Sequence, residues 1–187
     1  TDEGIEGVCS AQGVSGEVGS SPLKDALEQM RELMVGENPL ARERIYQKLH
    51  TGTRWIYREP GWFGTADNCL WDLAGKVAGL PVYAVIGRMR DSIPCYLNIR
   101  GQTKKEATAD AEKAVSLGFL AVKDHFYHDI AENIRWLTAI RQTVGDDIDC
   151  MHDPVGIYTF DEAVRVGRAL EDLNYRWLEE PLPERQH

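Results

Sequence analysis

The sequence contains no long hydrophobic run and no excess of positive charge. None of its apolar stretches approaches the roughly 20 residues needed to span a bilayer, so we expect no membrane-spanning helix. The 21 Lys and Arg residues are outnumbered by 30 Asp and Glu residues, which gives a formal net charge of -9. Because a phosphate-binding surface needs a local excess of basic residues, we expect no nucleic-acid partner.

Cysteine is also scarce. The four cysteines, Cys9, Cys69, Cys95 and Cys150, follow no CxxC or Cys/His spacing, which argues against a zinc site. Each lies among apolar neighbours, so we predict reduced packing residues in a cytoplasmic protein. The first residues do not have the pattern of a signal peptide, and we expect none.

What the sequence does contain is an alternation of strands and helices from about residue 90 onward. Four apolar runs have the length of strands, and they are 93–99, 119–125, 148–153 and 175–179. Three amphipathic stretches with helical spacing separate them, and they are 104–117, 129–144 and 159–173. This rhythm is typical of a parallel sheet with helices outside it.

Residues before about 90 follow an irregular α+β pattern. A β-hairpin is predicted over residues 1–20, and helices are predicted from Ser21 onward, over 40–49 and over 65–79. The aromatic-rich stretch 54–64 fits either a packed loop or a lid over a ligand, and its composition favours packing.

The change of pattern divides the chain into two predicted domains, residues 1–90 and 91–187. A closed (β/α) barrel needs eight strands and usually about 250 residues, whereas the second predicted domain supplies four strands. A half-barrel leaves two sheet edges with unpaired backbone groups. Because the chain also lacks an initiator methionine, we expect it to be a piece of a longer protein.

Charged side chains lie where three successive predicted strands end. Lys123 and His125 are two residues apart on one strand and therefore share a face, while Asp153 and Glu179 end the next two strands. The carboxyl ends of parallel strands line up at one edge, so these four groups are predicted to converge. Any one of these residues alone is an ordinary charge at a strand end. Four of them at neighbouring strand ends favour a functional site. Two buried carboxylates without a basic partner in their own segments favour a divalent cation.

These strand ends, with one upstream helix, resemble the enolase superfamily, and more closely its mandelate racemase and muconate lactonizing enzyme branch. Residues 66–87, ADNCLWDLAGKVAGLPVYAVIG, resemble the helix that leads from the family's capping domain into its barrel. Residues 119–125 resemble the second barrel strand, where the family often carries Lys-x-Lys. The segments MHDPVGIYT (151–159) and WLEEPLP (177–183) resemble the third and fourth strands, with their metal-binding Asp and Glu.

The resemblance implies an α/β fold, with a partial, four-stranded TIM-type β/α barrel preceded by part of an α+β capping domain. It also implies that Asp153 and Glu179 are Mg²⁺ ligands, with Glu180 as the alternative to Glu179. Lys123 takes the position of the first lysine of the family motif. His125 stands where the second lysine, often the proton-abstracting base, occurs in relatives.

Two residues depart from the family pattern. His125 replaces a lysine. A histidine can act as a base near neutral pH, so proton abstraction is still expected. The substrate and the stereochemistry of relatives cannot be transferred to this chain. Val155 stands two residues after Asp153, where many relatives have Asn. The third metal ligand, expected from the fifth strand, and any acid or base on later strands are absent from this sequence.

The implied activity is the Mg²⁺-dependent abstraction of a proton α to the carboxylate of a sugar acid or hydroxy acid, through an enediolate. Dehydration, racemisation or epimerisation would follow, which makes the full-length protein a lyase or an isomerase. We expect a homo-oligomer that acts on a small-molecule carboxylate.

The alternative is an incomplete, non-catalytic fragment that serves as a folded binding or assembly module. The missing half of the barrel favours this alternative. The intact set of Lys123, His125, Asp153 and Glu179 favours the enzyme.

Overall fold

The structure is a computed structural model that describes residues 1–9, 21–56 and 62–183, without the side chains of residues 21–24. In this part of the chain, no helix is long and apolar enough to cross a membrane. The hairpin predicted over 1–20 falls mostly outside the described residues, as does the middle of the aromatic-rich stretch 54–64. The chain divides into two compact units, Thr1–Asp91 and Ser92–His187.

The described part of the first compact unit contains four helices. Their bounds are α1 Ser21–Met34, α2 Arg42–Trp55, α3 Gly64–Ala78 and α4 Val82–Val85. The helix α3 ends at Gly79, whose φ of 65° is the left-handed conformation that glycine adopts without strain. The buried core of this unit consists of Met30, Ile45, Leu49, Phe63 and Leu70.

The second compact unit alternates strands and helices. Its elements are β1 Leu97–Asn98, α5 Lys104–Ser116, β2 Ala121–Asp124, α6 Ile130–Val144, β3 Asp149–His152, α7 Phe160–Asp172 and β4 Trp177–Leu178. The four strands form one parallel sheet in the order β1-β2-β3-β4. The predicted α/β class, with four adjacent parallel strands as in half of a TIM-type barrel, is confirmed.

The outer strands are shorter than the sequence predicts. The apolar runs 93–99 and 175–179 contain only two-residue strands, β1 and β4. Within the described residues each of them pairs with a strand on one side only. A strand is defined by its ladder hydrogen bonds to a neighbouring strand. At the edge of a sheet the apolar run is therefore longer than the segment that is hydrogen-bonded.

Side-chain caps explain why the helices of the second unit begin where they do. Thr103 and Glu106 form a reciprocal capping box at the start of α5, and Thr159 and Glu162 form another at the start of α7. Asp129 accepts a hydrogen bond from the amide of the third residue of α6. Each cap satisfies backbone N–H groups that have no partner within the helix. The helix starts predicted at residues 104, 129 and 159 agree with the structure to within one residue.

The core of the second unit lies between the sheet and its helices. Val122 on β2 and Cys150 on β3 are buried on the face that meets the helices. The helix α5 contributes Ala107, Ala111 and Ala114, whose side chains are fully buried. Because alternate residues of a strand point to opposite faces, this packing leaves Lys123 and Met151 on the other face of the sheet.

The cysteines only partly follow the packing prediction. All four are free; Cys150 is buried, Cys9 and Cys69 are half-buried, and Cys95 is exposed. Burial raises the pKa of the Cys150 thiol to about 12, so this thiol stays protonated at neutral pH. The packing prediction is wrong for Cys95, because that residue precedes the short edge strand β1 instead of lying within it.

A buried arginine ties together two loops of the second unit. The Arg141 Nε donates to the carbonyl of Leu173 at 2.9 Å, and Nη2 donates to the carbonyl of Asn174 at 2.8 Å. Its Nη1 donates to the carbonyls of Gly145 and Ile148, both at 2.7 Å. The guanidinium therefore satisfies carbonyls at the C-terminal ends of α6 and α7, just before β3 and β4.

The loop after β3 contains a strained residue. Val155 has a φ of 55°, in the left-handed region that β-branched residues rarely adopt. Its amide donates to Oδ1 of Asp153 at 3.0 Å, and the amide of Gly156 donates to the carbonyl of Glu180 at 2.7 Å. These bonds hold the loop between the ends of β3 and β4 and compensate for the strain.

We predict that Arg141→Met lowers the free energy of unfolding by about 3 kcal/mol, because it removes the donor of four carbonyls, of which that of Ile148 is buried and those of Gly145, Leu173 and Asn174 are bonded in part-buried positions. Urea unfolding followed by circular dichroism measures this loss. The matched control is Arg135→Met on the same helix, where an exposed arginine pairs with Glu132 and its loss should cost less than about 1 kcal/mol. Equal losses in the two variants would refute the role given to Arg141.

We predict that Val155→Asn raises the free energy of unfolding by about 1 kcal/mol, because asparagine tolerates the left-handed conformation that valine resists. The matched control is Ile157→Asn, at a position in the same loop that is similarly exposed but has no positive φ. The two variants are compared by urea unfolding. A gain that is no larger at 155 than at 157 would contradict strain at Val155.

Candidate active site

Lys123 lies at the centre of the group of charges predicted at the strand ends. Its Nζ is 2.8 Å from Oδ2 of Asp153 and 2.9 Å from Oε2 of Glu179. Lys123 is on β2, Asp153 directly follows β3 and Glu179 directly follows β4. Three adjacent parallel strands thus bring one ammonium and two carboxylates together.

His125 is the fourth predicted residue, and it lies at the edge of the same cluster. Its Nδ1 is 3.5 Å from Oδ2 of Asp153. The side chain of His125 is 42% exposed, whereas those of Lys123 and Asp153 are buried. The structure therefore brings all four predicted residues together, and among them His125 and Glu179, which is 37% exposed, are the side chains that a ligand can reach.

The charges of the cluster stabilise one another. Burial disfavours the charged form of Lys123, but hydrogen bonds to Asp153 and Glu179 outweigh it and hold the pKa of Lys123 well above its ordinary value. Burial likewise opposes ionisation of Asp153, but hydrogen bonds from Lys123 and from the Val155 amide lower the pKa of Asp153. Lys123 therefore remains an ammonium and Asp153 a carboxylate at neutral pH.

The structure distinguishes Glu179 from Glu180. The Glu179 carboxylate reaches Lys123, whereas Glu180 is exposed and has a φ of 41°. The carbonyl of Glu180 instead accepts a hydrogen bond from the amide of Gly156. Of the two adjacent glutamates, Glu179 is thus the one whose carboxylate belongs to the cluster.

Two aromatic residues border the cluster and were not predicted from the sequence. The Nε1 of Trp177 donates to Oε2 of Glu179 at 3.1 Å. The ring of Tyr96 packs edge-on against Trp177, and Nζ of Lys123 lies 5.8 Å from the Tyr96 ring centroid. Strand alternation gives a signal for Trp177, because it is two residues before Glu179 and shares its face. Tyr96 precedes an edge strand whose register the sequence does not reveal.

A concave surface adjoins His125. It has a volume of about 460 Å³ and is lined by Asn98, Ile99, Arg100, Gly101, His125, Phe126 and Tyr127. These residues come from the ends of β1 and β2 and from the loops that follow. A small polar molecule in this space would contact the imidazole of His125.

The donor set of the cluster fits a magnesium ion in part. Mg²⁺ prefers oxygen ligands and is usually held by one or two carboxylates together with water. Asp153 and Glu179 supply two such carboxylates within hydrogen-bonding distance of one nitrogen atom. No group of three or more His, Cys, Asp or Glu side chains suited to a metal occurs within the residues that the structure describes.

Comparison with known proteins gives relatives in sequence and in structure. L-talarate/galactarate dehydratase of Salmonella typhimurium is 31% identical over 194 residues, which cover 96% of this chain and 46% of that protein. The crystal structure of D-glucarate dehydratase from Agrobacterium tumefaciens complexed with magnesium superposes with a TM-score of 0.80 at 30% identity. That match covers 87% of this chain and 47% of that one.

A third relative shows the fold alone. The 3,6-anhydro-D-galactonate cycloisomerase from Zobellia galactanivorans superposes with a TM-score of 0.84 at 23% identity and covers 97% of this chain and 51% of that one. The chain thus spans about half the length of the relatives it matches.

Two family descriptions match almost the whole chain. Residues 1–87 match the N-terminal domain of the mandelate racemase / muconate lactonizing enzyme family. Residues 106–187 match the family described as enolase C-terminal domain-like. This chain therefore belongs to the enolase superfamily, in its mandelate racemase and muconate lactonizing enzyme branch.

Proposed function

We propose that this chain carries half of the active site of a magnesium-dependent enzyme that removes the proton α to the carboxylate of a sugar acid. The single observation that supports this most strongly is the cluster at the strand ends. There, Asp153 and Glu179 share the ammonium of Lys123, and His125 lies beside Asp153. In this proposal residues 1–90 are part of the capping domain and residues 91–187 are the first half of the barrel.

Asp153 and Glu179 are the residues that would hold magnesium. When bound, the ion would neutralise the negative charge that develops on the substrate carboxylate as the α proton leaves. The glucarate dehydratase relative was crystallised with magnesium, which supports the same ion here. The Val155 amide donates to Oδ1 of Asp153 and thereby fixes the orientation of the carboxylate that would bind the ion.

His125 is the proposed base. With its Nδ1 toward the Asp153 carboxylate, the neutral ring turns its Nε2 lone pair away from Asp153 and can accept a proton there. The imidazolium that forms is then stabilised by the adjacent carboxylate. Its exposure and its position on the concave surface allow a substrate to approach.

Lys123 is the proposed electrostatic partner. Its ammonium is a fixed positive charge next to the site, and it adds to the stabilisation of an enediolate.

Dehydration is the reaction we favour. The sequence relatives include dehydratases of galactarate, arabinonate, xylonate and mannonate. Each of these names denotes a sugar acid, and loss of water from a sugar acid begins with removal of the proton α to its carboxylate. Racemisation or epimerisation would begin with the same proton and would return it on the opposite face.

A folded binding or assembly module without catalysis is the second candidate. It is favoured by the metal-binding side chains, because no group of three or more His, Cys, Asp or Glu suited to a metal occurs among the residues that the structure describes.

The test is exchange of the substrate α proton with solvent. The full-length protein is incubated with magnesium and galactarate in D₂O, and proton NMR follows loss of the α signal. We predict that His125→Asn lowers the exchange rate by roughly 10²- to 10⁴-fold, the range for loss of a general base, with Mg²⁺ affinity unchanged. The control His50→Asn, at an exposed histidine of α2, should exchange at the wild-type rate.

Other outcomes of this experiment separate the alternatives. Exchange with formation of a keto-acid product supports dehydration, and exchange with inversion alone supports racemisation. Absence of exchange with a panel of sugar acids would leave the non-catalytic module as the better proposal. Exchange at the wild-type rate in His125→Asn would contradict the role of His125.

The charge state of Lys123 gives a pH-dependent prediction. Lys123→Met should lower the free energy of unfolding by about 3 kcal/mol at neutral pH, because it leaves Asp153 buried without its partner. The lowered pKa of Asp153 means that this carboxylate contributes stability above its unfolded pKa of about 3.9, and the contribution is lost as pH falls through the folded value. The difference between variant and wild type should therefore shrink in acid.

Urea unfolding at about pH 7 and about pH 3 measures the two differences. Lys113→Met, at an exposed lysine of α5, is the matched control and should change stability little at either pH. A loss in Lys123→Met that is equally large at both pH values would contradict the ion pair as its cause.

A further inference from the structure

A chain of buried polar side chains lies on the helix-facing side of β2 and β3, opposite the candidate active site. His152 Nδ1 is 2.6 Å from Oδ1 of Asp124, and His152 Nε2 is 3.0 Å from the hydroxyl of Tyr158. Nδ2 of Asn133 donates to the same hydroxyl. We call Asp124, Asn133, His152 and Tyr158 the buried network.

Hydrogen bonds join the four side chains of the buried network into one continuous chain of contacts. The Tyr158 hydroxyl accepts from Asn133 and contacts Nε2 of His152, whose Nδ1 contacts Asp124. Burial raises the pKa of Tyr158 to about 12, so this hydroxyl keeps its proton.

The buried network does not touch a substrate. Its four side chains are between 0% and 3% exposed, although the Asp-His-Tyr sequence of contacts looks like a catalytic relay. Groups this deeply buried act only through the residues that they hold in place. Burying polar side chains costs desolvation free energy that apolar side chains at the same positions would not cost. The buried network therefore needs a role that offsets this cost.

Asp124 and His152 lie between the residues of the active site. Asp124 separates Lys123 from His125 on β2, and His152 directly precedes Asp153 on β3. The two residues are partners in the parallel ladder, and the amide of Asp153 donates to the carbonyl of Asp124 at 3.2 Å. A slip of one residue would turn each strand's active-site residues to the other face, and the side-chain bond between Asp124 and His152 opposes such a slip.

The buried network also holds the loop that follows His125. The Phe126 amide donates to Oδ1 of Asp124 at 3.1 Å. Asn133 donates to the carbonyls of Phe126 and His128 and accepts from the His128 amide at 3.1 Å. His125 is thus fixed on its C-terminal side by a loop that is bonded to α6.

We propose that Asp124, Asn133, His152 and Tyr158 are positioning residues that hold His125 beside Asp153. They fix the ends of β2 and β3 in one register from the face opposite the chemistry. As a role in catalysis this rests on the proposed function, in which His125 is the base and Asp153 a metal ligand.

The test removes one hydroxyl from the buried network. Tyr158→Phe deletes the group that joins His152 to Asn133, and Tyr175→Phe is the matched control, because the hydroxyl of Tyr175 also lies in the second unit but donates to the Leu137 carbonyl. Both variants are made in the full-length protein with ¹³C-labelled histidine. NMR reports the His125 ring signal, and hydrogen exchange with mass spectrometry reports the Asp153 amide.

We expect Tyr158→Phe to shift the His125 ring signal and to speed exchange of the Asp153 amide at least about tenfold. The catalysed exchange of the substrate α proton should fall about 10- to 100-fold in kcat, the range for loss of a supporting hydrogen bond, with KM unchanged. Tyr175→Phe should leave all three at wild-type values. If Tyr158→Phe does not fold, His152→Leu gives the same test, because a leucine makes neither the bond to Asp124 nor the bond to Tyr158.

Two results would overturn the positioning role. One is a Tyr158→Phe protein whose His125 signal and Asp153 amide behave as in the wild type, and the other is an equal change in Tyr175→Phe. A wild-type protein without α-proton exchange refutes the proposed function instead, while the NMR and amide measurements still decide whether the buried network positions His125.

Discussion

A buried ammonium shared by two carboxylates is the interaction on which the second unit depends. Taking Lys123 and Asp153 out of water costs several kcal/mol for each ion, and their attraction offsets this only when the geometry is good. Distances of 2.8 Å and 2.9 Å from Nζ to Asp153 and Glu179 provide that geometry. It requires β2, β3 and β4 to be adjacent, parallel and in one register, because each strand contributes one charge. The contacts of the site therefore require the same strand order that the sheet shows.

That constraint explains why both faces of the strands carry polar residues. Alternation turns Lys123, His125 and Asp153 to one face and Asp124 and His152 to the other. A purely apolar helix-facing side would pack as well but would not specify which residue of β2 lies beside which residue of β3. Directional hydrogen bonds do specify it, which is the best-attested use of polar groups in a core.

Much of this could be predicted from sequence, and the signals were local. Capping residues such as Thr103 and Thr159 mark helix starts, and a charge directly after an apolar run marks Asp153 and Glu179. The lengths of β1 and β4, Arg141 and the buried network could not be predicted. They depend on which backbone or side-chain groups meet in the folded chain, in some cases across 25 positions of sequence, as with Asn133 and Tyr158. Local sequence patterns do not reveal such partners.

The histidine at 125 changes the charge balance of the site. Relatives with Lys-x-Lys would place two cations against the two carboxylates. With histidine at 125, Lys123 is the lysine that faces Asp153 and Glu179, so one ammonium lies between two carboxylates. An excess of carboxylates among oxygen donors strengthens the attraction for a divalent cation. Under the proposed function, the substitution therefore exchanges a cationic neighbour of the proposed magnesium ligands for a histidine, a residue type that can act as a base near neutral pH.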